Sequence, residues 1–367
     1  MASLTQVSIV ARKTIRFSVY FLILLIFTRF LIKTGINIYK RLFPEPPPAP
    51  TVTFGKLPKI PFPEQKIPKD ISYRLETPEG ELPVFIEQLP VYYMPPVNMG
   101  IKGLDNAKQI AKNLEFDSKG VLIDNNIPNI YTFNKRGTPS VLTINITNQT
   151  FSISYNMEAD PQILNNTPPL PEEALKLTKS FLSSANLLTE DLTGPVKTQF
   201  IRSESGKLKE VISLSESDFI QVNLFRKNVK FREMEFPSLT PKYPNANVWL
   251  ILIGGELRSR TVIAGEYHYF PIDEEKMGTY PIKTSQKAWD ELQKGNAFIV
   301  RNNENQKEVV IRRIYLAYYD AGYYTQFYQP IVVFEGDDNF IAYVPAVAEE
   351  YYGVEENKKD NNQNIQK

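Results

Sequence analysis

Beyond residue 70 the chain repeats one pattern three times, in which a short stretch with helical spacing of apolar residues precedes several β-branched and aromatic runs. Apolar residues at i, i+3, i+4 and i+7 share one face of a helix. The predicted buried helix faces are Ala107, Ile110, Ala111 and Leu114; Ala174, Leu177, Phe181 and Ala185; and Ala288, Trp289 and Leu292. Three amphipathic helices are therefore predicted.

Local signals mark where two of these helices begin and end. Pro171 suits the first helical position, and Glu172 and Glu173 suit the positive end of the helix dipole. Thr284 or Ser285 can serve as the N-cap of the third helix, and Gly295 suits its C-terminal stop.

The runs between the helices predict strands, separated by Asn-, Gly- and Pro-rich turns. They lie at 83–94, 121–124, 129–134, 141–146, 150–155, 196–203, 208–213, 218–225, 229–236, 248–254, 297–300, 309–319, 330–335 and 340–346. A helix and an antiparallel sheet each bury an apolar face against the other. The predicted fold is α+β, with tandem modules of one helix on a sheet at 71–158, 168–255 and 256–350.

Alternation within 309–319 separates two faces of one strand. Ile314, Leu316 and Tyr318 are predicted to face a helix-covered core, and the intervening side chains Arg313, Tyr315, Ala317 and Tyr319 a partly wet surface. The segment 330–346 is predicted to form a hairpin that turns at 336–339.

Tyrosine is dense in this region, and two interpretations stay open. The aromatic side chains can pack across strands with their hydroxyls in water, or they can form a recognition surface for a protein or a sugar ring. The candidate interaction surface comprises Tyr315, Tyr319, Tyr323, Tyr324, Phe327 and Tyr328.

An apolar run near the N-terminus predicts a membrane anchor at 15–38. Its apolar side chains include Phe17, Tyr20, Phe21, Leu22, Leu24, Leu25, Ile26 and Phe27. No small-x-small cleavage signal follows the run, so an uncleaved single span is predicted, with an interfacial helix as the alternative. Residues 1–14 are predicted to be cytoplasmic and the body to lie outside the cytoplasm.

Residues 39–70 are predicted to be a proline-rich linker, with nine prolines in the 27 residues 44–70. In a polyproline II conformation this stretch spans about 80 Å. Phe54, Leu57, Ile60 and Phe62 allow the alternative that part of it docks along the first module. The tail 351–367 is predicted to be disordered.

Charge and composition exclude several kinds of site. Residues 1–41 contain seven basic and no acidic residues, which leaves 35 basic and 41 acidic residues in the remainder, a net charge of −6 that argues against nucleic-acid binding. The absence of cysteine removes thiol catalysis and thiolate metal sites. The single histidine, His268, lies in a predicted strand and is expected to be structural. No metal site or cofactor is predicted.

The C-terminal segments resemble a known module. An Ala-Trp-x-x-Leu-x-x-Gly helix, a strand ending in LAYYD and the stretch QPIVVFEGDDNFIAYVPAV resemble the PepSY-like helix-on-sheet module. Together with the anchor, the whole chain resembles membrane-anchored extracytoplasmic regulators of the YycH/YycI type. That resemblance implies a non-enzymatic protein that modulates a sensor kinase, and it carries no functional residues.

The leading hypothesis is a non-catalytic, single-pass protein whose extracytoplasmic body binds other envelope proteins. One alternative is a module that binds cell-wall glycan through the C-terminal tyrosines. The other is a carboxylate-dependent hydrolase, which requires a concave pocket with two facing acids.

Overall fold

The computed structural model describes residues 4–42, 48–65, 71–97, 99–124, 126–204, 206–255, 261–303 and 307–354. The fold is α+β, with more sheet than helix. The chain divides into two compact units, of which the first ends at Ala49 and the second, the body, begins at Pro50.

The first unit contains one long helix, α1 (Leu4–Leu42). Within it, the 25 residues Arg12–Ile36 are long and apolar enough to cross a membrane, since a full span needs about 20 residues. The predicted anchor side chains lie on this segment and are exposed on the helix surface. The length and composition of this segment are therefore consistent with a membrane-anchoring helix.

In the described ranges, the body contains three further α-helices, several short 3-10 helices and 22 strands. The α-helices are α2 (Gly103–Asn113), α3 (Pro171–Ser184) and α4 (Ser285–Gln293). The strands are β1 (Leu57–Pro58), β2 (Ser72–Leu75), β3 (Gln88–Tyr93), β4 (Val121–Leu122), β5 (Ile130–Asn134), β6 (Ser140–Asn145), β7 (Phe151–Tyr155), β8 (Val196–Glu204), β9 (Lys207–Val211), β10 (Phe219–Leu224), β11 (Val229–Phe231), β12 (Met234–Phe236), β13 (Ser238–Leu239), β14 (Val248–Leu252), β15 (Val262–Tyr267), β16 (Asp273–Pro281), β17 (Phe298–Arg301), β18 (Glu308–Tyr319), β19 (Phe327–Tyr328), β20 (Pro330–Gly336), β21 (Ile341–Pro345) and β22 (Tyr352–Val354).

The largest sheet has nine strands in the order β4-β5-β6-β7-β15-β14-β10-β8-β9. Strand β15 pairs antiparallel with both β7 and β14. It therefore joins strands of the predicted modules 71–158 and 168–255 into one sheet, although β15 itself lies beyond the boundary predicted at residue 255.

Helices α2 and α3 contribute to one core with the apolar side chains of this sheet. The predicted face of α2 is confirmed, because Ala107, Ala111 and Leu114 are buried and Ile110 packs against them. On α3 the buried residues are Ala174, Thr178 and Leu182, and Ala185 just after it is buried too. Leu177 and Phe181, predicted at the centre of that face, are partly buried.

A second sheet has the order β13-β18-β20-β21-β17, with β2 also paired to β18. Helix α4 covers one face with Ala288, Trp289 and Leu292, as predicted. Thr284 caps the helix, since its Oγ1 accepts a hydrogen bond from the Lys287 amide at 3.3 Å. The hairpin β20–β21 also forms as predicted and turns at 337–339.

The two predicted faces of β18 are also separated in the structure. Ile314, Leu316 and Tyr318 belong to the core under α4, whereas Ala317 and Tyr319 belong to a cluster on the other side. That second face is wet only at its start: Arg313 is exposed and Tyr315 is partly buried, whereas Tyr319 is only 4% exposed and Ala317 is fully buried.

Residues 50–65, predicted to belong to the spacer, are part of the body. Leu57 and Ile60 are buried, and Phe62 stacks on Phe298 with ring centroids 5.1 Å apart. Strand β1 pairs in parallel with β22, so residues 352–354 of the predicted disordered tail are ordered. The apolar residues of this segment dock on both parts of the body. Ile60 and Phe62 pack against residues of β17 and β18, whereas Leu57 and Phe54 belong to a cluster that includes Val91 of β3, within the predicted first module.

Two small sheets complete the body. One has the order β16-β3-β19. The other is a hairpin of β11 and β12. The run 229–236, predicted as one strand, is therefore two strands, since Arg232 adopts a φ of +56° that turns the chain.

Candidate functional site

A cleft of about 570 Å³ opens where the nine-stranded sheet meets the β16-β3-β19 sheet. Its volume falls in the range of small-molecule sites. It is lined by Tyr92, Asp191, Thr193, Gly194, Pro195, Arg226, Lys227, Asn228, Val229, Lys230, Glu235, Ile272, Glu274 and Tyr328. None of these residues belongs to the candidate surface predicted from the sequence except Tyr328.

Arg226 is the central residue of the cleft. It follows β10, whose residues are all buried, and its own side chain is 1% exposed. Its Nε donates to Asp320 Oδ2 at 3.0 Å, one Nη forms an ion pair with Asp191, and the other donates to the Phe270 carbonyl at 2.5 Å. These three contacts connect the end of β10 to three distant parts of the body.

Two tyrosine rings enclose the guanidinium of Arg226. Its Cζ lies 4.6 Å from the ring centroid of Tyr269 and 5.6 Å from that of Tyr328. Burial by itself lowers the pKa of Arg226, but the carboxylates of Asp320 and Asp191 outweigh it and the pKa lies above its ordinary value. Arg226 is therefore a permanent, internally neutralised cation.

The loop before β8 approaches Arg226 closely enough to require glycine. A Cβ on Gly194 would lie 2.0 Å from the carbonyl oxygen of Arg226. Because backbone atoms cannot move aside as a flexible side chain can, only glycine allows the loop at 193–195 to form this wall.

The other charged groups lie toward the rim. Lys227 forms an ion pair with Glu190, and Lys230 with Glu235 at 3.1 Å. Glu274 is exposed, and no described residue forms an ion pair with it. Counting the partners Glu190 and Asp320 with the lining residues, five carboxylates face three cations.

Acid–base catalysis is a poor match for these carboxylates. The cleft is concave and acid-lined, as the hydrolase hypothesis requires, but a glycosidase acid needs a raised pKa. Hydrogen bonds from Lys230 and Asn228 instead lower the pKa of Glu235. Asp191 is bound by Arg226 and by the Tyr269 hydroxyl.

The predicted tyrosine surface is not one exposed face. Tyr319, Phe327 and Tyr328 are buried, while Tyr315 and Tyr324 are partly buried. Tyr323 is the exposed member, at 43%. Their rings are largely occupied by neighbours, so they cannot together stack on a sugar.

The contacts of two of these residues show what occupies the rings. Tyr328 stacks on Tyr318 with ring centroids 5.0 Å apart, and its hydroxyl hydrogen-bonds to Ser238 at 2.6 Å. Tyr319 meets the edge of Phe62 at 4.9 Å. These contacts agree with the first interpretation of the tyrosines, in which the rings pack against neighbouring side chains.

His268 lies just after the end of β15 rather than within a strand. It is half-buried, and its Nδ1 is 3.1 Å from the Gly322 carbonyl oxygen. Among the described residues, no group of three or more Asp, Glu or His side chains is placed to bind a metal ion.

Sequence reasoning missed Arg226 because its partners are far away along the chain. Asp191 and Asp320 lie 35 and 94 residues from it. The available signal was local: an arginine directly follows the apolar strand run at 218–225 and precedes Lys227. That position indicates a strand end and reveals nothing about a site.

Comparisons with known proteins identify no family. No protein-family model matches the chain, and no curated protein does. A crystal structure of an uncharacterized protein from Eubacterium rectale ATCC 33656 is similar, with 14% identity over 74% of this chain and 86% of that one and a TM-score of 0.39. A similarity at that level carries no argument about fold or function.

Buried tyrosines predict a stability loss at alkaline pH. Burial is the main cause that raises the pKa of Tyr315, Tyr319 and Tyr328 above the ordinary value of 10.0, and it raises that of Tyr352 to about 12. The folded state therefore holds these protons more tightly than the unfolded state. The resulting stability is complete below pH 10 and falls as the pH rises, for Tyr352 between pH 10 and about 12.

Absorbance of tyrosinate near 295 nm, followed with circular dichroism on the full chain, checks this expectation. Only the exposed tyrosines should ionise near pH 10, and the remainder should ionise together with unfolding at higher pH. Full ionisation of all tyrosines near pH 10 with the fold intact would contradict the burial described above.

Proposed function

We propose that this is a non-catalytic, single-pass membrane protein of the cell envelope that binds another envelope protein through the cleft around Arg226. The observation that carries the proposal is the combination of an anchor-length apolar helix with a cleft whose charged lining residues, except Glu274, are held in ion pairs rather than poised for chemistry. A cleft of about 570 Å³ lies within the usual range of ligand-binding clefts.

The order of helices and strands supports a body that is built from repeated modules. Helix α2 precedes β4–β7, α3 precedes β8–β10 and α4 precedes β17–β21. We therefore propose tandem PepSY-like modules, of which the first two share one sheet, and a regulatory role of the kind seen in YycH/YycI-type proteins. We also propose that the body lies outside the cytoplasm.

Photo-crosslinking in native membranes tests the binding proposal. A photoreactive p-benzoylphenylalanine at Ile272, which lines the cleft, is expected to give a discrete adduct with one envelope protein. Val84, which is 98% exposed and does not line the cleft, provides the matched control position. If Ile272 gives no adduct, or gives the same adducts as Val84, the cleft is not a partner-binding site.

The absence of cysteine offers a clean test of orientation. A cysteine introduced at Ile212, which is 96% exposed, is expected to react with a membrane-impermeant maleimide in intact cells. Labelling only after the cells are permeabilised would place the body in the cytoplasm and would remove the envelope assignment.

A further inference from the structure

Residues 57–65, here named the strap, cover the face of the β13-β18-β20-β21-β17 sheet that lies opposite the α4 core. Phe62 stacks on Phe298 with ring centroids 5.1 Å apart and lies edge to face with Tyr319 at 4.9 Å. Ile60 is buried in the same cluster. This face is therefore a groove that holds one aromatic and one aliphatic side chain, both supplied by the chain itself.

Side chains of the body also bind the backbone of the strap. Gln329 is 4% exposed, and its Nε2 donates to the Pro58 carbonyl at 3.0 Å. The Ile60 amide donates to the Tyr352 hydroxyl at 2.9 Å. Hydrogen bonds to main-chain groups hold a segment in place, and the pockets for its side chains select the sequence.

Pro61 shapes the part of the strap that enters the groove. The Phe62 amide donates to the Ile60 carbonyl at 2.9 Å, which closes a three-residue turn around Pro61. Such a turn needs a central φ near −75°, close to the value that proline fixes. The Tyr323 hydroxyl donates to the Pro61 carbonyl. The sequence Ile-Pro-Phe is thus preorganised to present its two apolar side chains.

The end of the strap is held by a single side chain at the edge of the sheet, where β17 is the last strand. Gln65 Oε1 accepts from the Ile299 amide at 2.9 Å, and Gln65 Nε2 donates to the Ala297 carbonyl at 2.9 Å. Within the strap, only the two residues of β1 pair with another strand. Few backbone hydrogen bonds therefore break when the strap leaves, and the sheet keeps its own ladder.

We infer that this groove binds a partner segment of the Ile-Pro-Phe type, an aliphatic residue, a proline and an aromatic residue, and that the strap is its built-in competitor. A segment tethered in the same chain competes at an effective concentration in the millimolar range. The partner segment binds when the strap is released. None of the groove residues named above lines the cleft around Arg226, so this is a second surface beyond the proposed function.

A fluorescein-labelled peptide of residues 56–65 tests the groove on the full chain in phosphatidylcholine nanodiscs, with fluorescence anisotropy as the readout. The wild-type chain is expected to bind it weakly. Phe62→Ala weakens the competing strap and is expected to raise the affinity for the peptide at least tenfold, on the order of one lost ring contact. Phe54→Ala is the matched control, because Phe54 packs on Phe327 at 4.8 Å outside the groove. It is expected to leave the affinity unchanged.

Two alterations place the peptide in the groove. A peptide with alanine at position 62 is expected to bind the Phe62→Ala chain about tenfold more weakly than the unaltered peptide. Adding Phe298→Ala to that chain removes the ring on which Phe62 stacks, and a similar loss is expected. Circular dichroism checks that each variant keeps its fold.

Hydrogen exchange of the wild-type chain tests release of the strap without any substitution. The Ile60 and Ile299 amides are expected to exchange at least about 100-fold faster than the amides of β20. Release of the strap breaks the hydrogen bonds of both amides while the sheet stays folded.

Three results overturn the inference: equal peptide affinities of the wild-type, Phe54→Ala and Phe62→Ala chains, equal binding of the alanine peptide, or exchange of the Ile60 amide no faster than that of β20. A wild-type dimer in detergent that Phe62→Ala abolishes would also overturn it, because the strap of a second copy would then fill the groove. The crosslink at Ile272 reports on the cleft alone, so the proposed function stands or falls separately.

Discussion

Replacing Arg226 by methionine is expected to destabilise the body by about 3–5 kcal/mol, the usual cost of removing one partner from a buried ion pair. Methionine fills a similar volume, so the loss is mainly electrostatic. Asp320, whose side chain is 11% exposed, and Asp191 would be left as uncompensated carboxylates. The Phe270 carbonyl would also lose its donor. Equilibrium denaturation of the full chain, followed by tryptophan fluorescence, measures the change.

Two further variants separate charge from packing. Adding Asp191→Asn and Asp320→Asn to Arg226→Met is expected to recover part of the loss, because the unpaired charges are gone. Arg232→Met, at the exposed turn of the β11–β12 hairpin, is the control and is expected to change stability by less than about 0.5 kcal/mol. If the Arg226→Met protein is as stable as the Arg232→Met protein, the ion pairs of Arg226 with Asp191 and Asp320 do not stabilise the fold.

Truncating Phe334 to alanine is expected to cost about 3–5 kcal/mol, as for other fully buried phenylalanines. The side chain is 0% exposed on β20. Its ring centroid lies 6.1 Å from that of Trp289 on α4. The truncation leaves a cavity between the helix and the sheet that this rigid packing cannot close. Thermal and chemical denaturation should both report the loss.

Tyr323→Ala is the matched control for that truncation. It also removes an aromatic ring from the C-terminal part of the body, but the ring is exposed and its hydroxyl donates to the Pro61 carbonyl at the surface. We expect a loss below about 1 kcal/mol. Comparable losses for the two variants would mean that the core under α4 is not a principal source of stability.

The local pattern of apolar and polar residues predicted helices and strands well where a single periodicity continued over several residues. The faces of α2 and α4 and the alternation along Ile314–Tyr318 follow from spacing alone. The pattern was less reliable where backbone geometry changes within a run. Val309 and Ile311 face the same core as Ile314 and Leu316, because a register shift between Ile311 and Arg313 reverses the alternation.

The candidate site was much less predictable than the elements. The tyrosines attracted attention because they are dense in the sequence, but density does not distinguish a packed ring from an exposed one. Tyr319 is covered by Phe62, more than 250 residues earlier in the chain. Arg226 carried no distinctive local signal, and its role follows only from the two carboxylates that reach it.

The amino-acid sequence by itself determined the apolar N-terminal helix, the positions of the three amphipathic helices and of most strands, and the alternation along Ile314–Tyr318. These features depend on residues within one or two turns or strand lengths, so periodicity reveals them. Only the tertiary structure decided that β15 joins two sets of strands, that part of the segment 50–65 docks on the C-terminal sheet and that Arg226 meets Asp191 and Asp320. Those contacts join distant segments, and spacing shows that a face is apolar or charged without showing what covers it.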